Sequence, residues 1–136
     1  MNSVIAITAI LVNEFNEILI YLRDDGNGTK IKYPNQWSFL GGTVEGDESV
    51  TDCLIREMKE ELELELKPEE CKEFQVYHHD GGEDHVFLCR IKKETPLQLH
   101  EGREKAWAPL SLVAQHQLAW HQNDILEQVA SAIEGL

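Results

Sequence analysis

Residues 42–64 constrain this chain more than any other stretch. Gly41 and Gly42, with Gly46 soon after, let the backbone turn tightly and come close to a neighbour. Residues 49–64 then run without Pro or Gly and are rich in strong helix formers. Asp47 or Glu48 supplies acidic charge at the helix start, where the dipole favours it. At about 100° per residue, Val50, Cys53, Leu54 and Met58 share one broad face. Glu57 and Glu61 fall in that same sector, and Glu60 lies beside them. An ordinary amphipathic helix keeps its carboxylates opposite the apolar stripe. Here the stripe runs into three glutamates, which repel one another and are costly to bury without positive charge between them. A hard divalent cation that prefers oxygen ligands, Mg²⁺ or Mn²⁺, suits such a cluster. A solvated acidic face is the plainer alternative, and the glycine pair ahead of the helix weighs against it.

The same stretch resembles the signature of the Nudix hydrolases. Gly42, Glu48, Arg56, Glu57, Met58, Glu60, Glu61 and Leu64 stand at the signature's spacing. Glu63 departs from it, because the family usually has glycine there, and Leu40 precedes the glycine pair where proline is commoner. The resemblance implies an α/β fold, an α/β/α sandwich with a mixed β-sheet. It also implies that Glu57, Glu60 and Glu61 hold metal together with the carbonyl oxygen of Gly41. Glu57 is then a candidate base, and Arg56 and Glu48 are orienting residues.

The 136 residues fit one domain, 1–136, with one sizeable core. No apolar run approaches the roughly 18 residues that span a bilayer. Residues 3–12 are apolar but lack a basic flank and a cleavage site, so they read as a strand and not as a signal peptide. Cys53, Cys71 and Cys89 are odd in number and widely spaced. They fit neither a disulfide framework nor a zinc site, and a reducing cytoplasm is the expected location. The net charge is −13, and residues 45–73 hold twelve acids against four bases, a net of −8. That field repels long nucleic acids. A small phosphorylated nucleotide arriving with its own cation is the expected partner, with no membrane. A homodimer is left open.

Strands are expected at residues 3–12 and 17–23, joined by a turn at 13–16. Residues 24–36 form a long loop. Arg23 at the end of the strand before it, and Lys30 and Lys32 within it, are rare cations in an acidic chain, and Arg23 and Lys32 are candidates to meet a substrate phosphate. Residues 37–40 read as a short strand feeding the glycine pair, with Trp37 as core or at the edge of the substrate cleft. Residues 71–79 and 84–92 form a hairpin about a turn at 80–83. His78 and His79 beside that turn point to opposite faces and make a poor metal pair. Residues 97–100 are expected to continue the sheet. The loop 100–107 leads into a further strand, and by resemblance it carries an additional metal-linked acid, Glu101 or Glu104. Helices are expected at 112–117 and 121–133. Trp120, His121, Gln122 and Asn123 precede or begin the last one. They serve base recognition, with Asn123 as an amide contact, or simple capping and packing.

Together these features imply metal-dependent hydrolysis of a diphosphate linkage in a nucleoside diphosphate derivative. A nucleoside triphosphate comes first, oxidised purine nucleotides included. Nucleotide sugars and ADP-ribose are the alternative substrates, and the proline that ADP-ribose hydrolases of the family tend to carry near position 79 is absent. The rival from another class is a non-catalytic domain that senses a nucleotide. A calcium-binding role lacks the EF-hand loop.

Overall fold

The computed structural model describes residues 4–24, 32–79, 81–115, 117–120 and 122–134. Its elements are β1 (Val4–Val12), β2 (Glu17–Leu22), β3 (Trp37–Ser38), β4 (Leu40–Thr43), α1 (Val50–Leu62), β5 (Cys71–His79), β6 (Gly82–Arg90), β7 (Glu104–Pro109), α2 (Leu110–Val113) and α3 (Gln122–Glu134). No helix among the described residues is long and apolar enough to cross a membrane.

β1 is apolar at every position but Thr8, and from Ile7 onward both of its faces are buried. Ile7, Ala9 and Leu11 join the core on the α1 side, with Cys53, Leu54, Met58 and Leu62 of the helix. Ile10 and Val12 join the core on the α3 side, with Ile125, Leu126, Val129 and Ile133. β6 runs parallel to β1 from Val4↔Gly82 to Val12↔Arg90. On the other edge β4 pairs antiparallel with Ala6–Ala9, and β2 takes over at Val12↔Ile18. β3 and β7 both pair with β2. The result is a mixed sheet of seven strands between helices, as the resemblance implied.

This topology sets the glycine pair beside β1, with Gly41 opposite Thr8 and Gly42 opposite Ile7. A Cβ on Gly41 would lie 2.4 Å from the Ile7 carbonyl oxygen, so no larger residue fits that pairing. The glycines therefore lie within β4, where a strand ending before them was expected.

α1 starts at Ser49, whose hydroxyl accepts from Asp52 N–H at 3.0 Å. Serine, not Asp47 or Glu48, is the cap. The helix ends at Glu63, in left-handed geometry with φ 53° and ψ 32°. Glu63 N–H donates to Lys59 O at 3.0 Å, the bond of the left-handed cap that usually employs glycine, and Leu64 N–H donates to Met58 O at 3.2 Å.

Three further expectations need correction. Residues 97–100 do not extend the sheet. Instead Gln98 N–H and His100 N–H donate to Leu62 O and Glu61 O, at 2.9 and 2.8 Å, and satisfy carbonyls that the helix end leaves open. β6 begins two residues before the expected strand, with Gly81 at φ 92° in the turn, and Asp80 lies outside the described residues. α2 is shorter and earlier than the expected 112–117. Trp37 is half-buried and packs against the α3-side core.

Candidate active site

The first turns of α1 are tied to the loop before them by one guanidinium. Arg56 Nε donates to Glu48 Oε2 at 3.0 Å and Nη2 to Glu48 Oε1 at 2.6 Å, a two-pronged pairing. Nη2 also reaches Thr43 O at 3.1 Å, and Nη1 reaches Glu57 Oε1 at 2.9 Å and Glu60 Oε2 at 3.2 Å. Glu48 Oε1 accepts in addition from Glu45 N–H at 2.9 Å. The Arg56 hydrogen bonds, then that backbone N–H, pull the Glu48 carboxyl down to about 2. The same pairing keeps Arg56 cationic.

Glu57 reaches β4 because residue 42 has no side chain. A Cβ there would fall 2.2 Å from Glu57 Cδ. Glu57 is largely shielded, with 13% of its side chain exposed, whereas Glu60 is 59% exposed and turned out toward Arg56.

Glu61 is in a different situation. Its Oε2 is buried and has no hydrogen-bond partner among the described residues. Burial raises its acidity constant far above the carboxylate range, followed by the hydrogen bond and charge of Glu101 and then those of Glu57. Three carboxyls thus converge from two elements, Glu57 and Glu61 from α1 and Glu101 from the loop before β7. Glu104 stands exposed at the start of β7, opposite Leu22. Among the described residues, no three His, Cys, Asp or Glu side chains are gathered tightly enough to hold an ion as they stand. Glu57 and Glu60 are instead drawn to Arg56. The orphan oxygen of Glu61, facing two further acids, is nonetheless the feature that a hard cation satisfies. The donor set is all oxygen, as Mg²⁺ or Mn²⁺ requires.

Beside Glu101 lies a cleft of about 150 Å³ lined by Tyr21, Arg23, Asp24, Glu101 and Gly102. Tyr21 Oη donates to Glu101 Oε1 at 3.3 Å and accepts from Arg23 Nη1 at 3.1 Å. Burial first, and the Glu101 charge second, push the Tyr21 hydroxyl up to about 12. Arg23 also donates from Nε and Nη2 to Lys32 O, at 3.0 and 2.7 Å, and from Nε to Tyr33 O at 3.2 Å. Its guanidinium sits 4.6 Å from the centre of the Trp120 ring, which Tyr33 also meets at 5.0 Å.

The expected substrate contacts are thus scattered. Arg23 is at the cleft, with its donors spread over Tyr21 and two carbonyls. Lys32 is exposed and joins through its carbonyl. Lys30 and His121 lie outside the described residues. Asn123 Oδ1 accepts from Leu118 N–H at 2.8 Å and braces the entry to α3. Buried Gln122 accepts from Phe39 N–H at 2.9 Å and donates to Ser38 Oγ at 3.1 Å, which fixes α3 to the strand before the glycines. Sequence reasoning missed Tyr21. Its one signal is a hydroxyl in an otherwise aliphatic strand.

Comparison with known proteins bears on the family and the fold. The NUDIX domain family matches residues 2–129. The dihydroneopterin triphosphate diphosphatase of Haemophilus influenzae is 26% identical over 123 residues, covering 78% of this chain and 73% of that protein. The CTP pyrophosphohydrolase of Escherichia coli is 32% identical over 92 residues, covering 67% and 68%. Among solved structures, a MutT from a study of the Aliivibrio salmonicida and Vibrio cholerae proteins superposes with a TM-score of 0.81. It is 23% identical, with 96% and 99% of the two chains covered. The NUDIX domain of Shewanella oneidensis NrtR, solved with ADP ribose, gives 0.79 at 16% identity over 98% and 90%.

Proposed function

The chain belongs to the Nudix hydrolase family, and from that premise we propose that it hydrolyses a diphosphate linkage in a nucleoside triphosphate, oxidised purine nucleotides included, with Mg²⁺ or Mn²⁺. Residues 1–136 act as a single catalytic domain in this reading. The observation that carries it is the unpartnered buried oxygen of Glu61, set between Glu57 and Glu101.

Glu57, Glu61 and Glu101 are the acids that would hold the cation, with Glu60 and the Gly41 carbonyl completing the set. A divalent ion bound there neutralises charge on the phosphoryl oxygens and acidifies a bound water. Arg56 holds Glu57 and Glu60 in place from one side, and Glu48 holds Arg56. Glu57, shielded against the backbone of Gly42, is the candidate to take a proton from water. Arg23 and Lys32, with Trp37 and Asn123, are the proposed substrate contacts.

Phosphate and pyrophosphate release tests this across a panel with each metal. The panel holds the four nucleoside triphosphates, an oxidised purine triphosphate, dihydroneopterin triphosphate, a nucleotide sugar and ADP-ribose. The names of the two relatives put CTP and the pterin triphosphate on it. Turnover of a triphosphate above the sugar and ADP-ribose is the expected result. Binding without turnover of any member, with either metal, would establish a nucleotide sensor instead.

A further inference from the structure

We infer that Tyr21 is a positioning residue, whose hydroxyl sets the orientation of the Glu101 carboxylate for a divalent cation and links that carboxylate to Arg23. The inference rests on the metal-site reading above.

The ring of Tyr21 is 3% exposed and belongs to the α1-side core, so its position is fixed by packing. Gly102 presses on that ring. A Cβ on Gly102 would lie 2.6 Å from Tyr21 Cδ2 and 2.4 Å from Leu22 O, and its φ of +72° also favours glycine. Arg103 N–H donates to Leu22 O at 2.9 Å on the far side. Glu101 therefore sits on a loop pinned against β2, and the Tyr21 hydroxyl reaches its Oε1 from below. The hydrogen bonds run in one direction. Cationic Arg23 donates to the Tyr21 oxygen, which makes the hydroxyl a better donor to Glu101. One carboxylate oxygen is thereby occupied and the carboxyl plane is fixed beside Glu61.

The far end of the chain is anchored as well. Arg23 is held by the carbonyls of Lys32 and Tyr33 and lies over Trp120. Trp120 is 41% exposed and takes the left-handed conformation, φ 51°. A solute that engages Arg23 acts on the hydroxyl that orients Glu101. Occupancy of the cation and contact with Arg23 are therefore coupled, and the coupling is reciprocal.

The test titrates Mn²⁺ alone, without nucleotide, and follows the free-ion resonance by electron paramagnetic resonance. Wild type, Tyr21→Phe, Arg23→Gln and the double variant are compared. Tyr21→Phe keeps the ring and is expected to weaken Mn²⁺ about tenfold, the size typical of losing a group that orients a metal ligand. Arg23→Gln, near the surface, is expected to weaken it about threefold, and the double variant no more than Tyr21→Phe alone. Arg23→Gln by itself keeps the test open if the phenylalanine variant folds poorly. Unchanged Mn²⁺ affinity in either single variant overturns the inference, as do effects that simply multiply in the double variant. A wild type that binds no Mn²⁺ overturns the metal-site reading, and this inference with it.

Discussion

Near the first turn of α1, Glu48 receives two hydrogen bonds from Arg56 and one from a backbone N–H. Near the last turn, Glu61 holds a buried oxygen that nothing reaches, with two more acids beside it. The side chain is the same and the surroundings are opposite. At one end the protein supplies its own cation and the charge is settled on folding. At the other it assembles like charges and leaves the deficit in place. Local stability does not account for the second arrangement, because burial disfavours the charged form of Glu61 and the neighbouring acids add to that penalty. The proposed cation would offset it.

The contrast can be broken most sharply at Glu57. Glu57→Gln keeps the shape and removes one negative charge, so turnover should fall by orders of magnitude. The metal-free protein should melt at or above the wild-type temperature, and added Mg²⁺ should stabilise it far less than wild type. Wild-type turnover in this variant would remove Glu57 from the mechanism. Gly42→Ala approaches the same atom indirectly. Its nearest contacts are all with the Glu57 side chain, which can swing away. Folding should therefore cost under about 1 kcal/mol, while turnover drops roughly tenfold to a hundredfold through the displaced carboxylate. Equal losses of stability and rate would mean that the glycine serves packing alone.

The third test uses acid. The folded-state constant of Glu61 is raised, so the folded metal-free protein holds a proton that the unfolded chain releases near 4.5. Its contribution favours folding at low pH and is lost as pH rises above that value. Glu48 has the opposite sign. Its constant is lowered to about 2, so its contribution is present above 4.5 and lost as pH falls toward 2. Glu61→Gln should remove the first slope, raise metal-free stability at neutral pH by about 1–2 kcal/mol, and leave the acid-side slope intact. Parallel melting-versus-pH curves for variant and wild type would show that the two ends of α1 do not differ. The smallest effect is expected at Glu63. Glycine there relieves a left-handed residue but loosens the unfolded chain and loses the 2.5 Å contact with His100. Glu63→Gly should therefore stabilise by about 0.5–1 kcal/mol, with turnover nearly unchanged. A lower melting temperature would reject strain at this cap.

What the sequence showed followed the strength of its patterns. β1 was readable because nine residues in a row are apolar or small, and α1 because its stripe and acids repeat at helical spacing. The left-handed Glu63 was foreseeable from the glycine it replaces. Residues 97–100 misled because Leu97 and Leu99 alternate like a strand, while their backbone in fact caps a distant helix end. Tyr21 was hidden because an aromatic residue in an aliphatic strand reads as core, and its ring is core. Only the cross-chain approach of Glu101 gives its hydroxyl a task. Ser49 was not singled out as the cap because a cap depends on local dihedral angles that composition does not reveal.

The pairing of β1 with β6 joins residues 78 positions apart, from Val4↔Gly82 onward. Closing so long a loop comes before any local reward, which makes such a ladder slow to form. The acids of the site come from segments that meet only after this ladder and the return of residues 97–100 to α1 are in place. In kinetic terms, a cation held as proposed would meet its full set of ligands only past the folding barrier. Bound there, it would hold the native chain back from unfolding and do little to hurry the chain toward the native state.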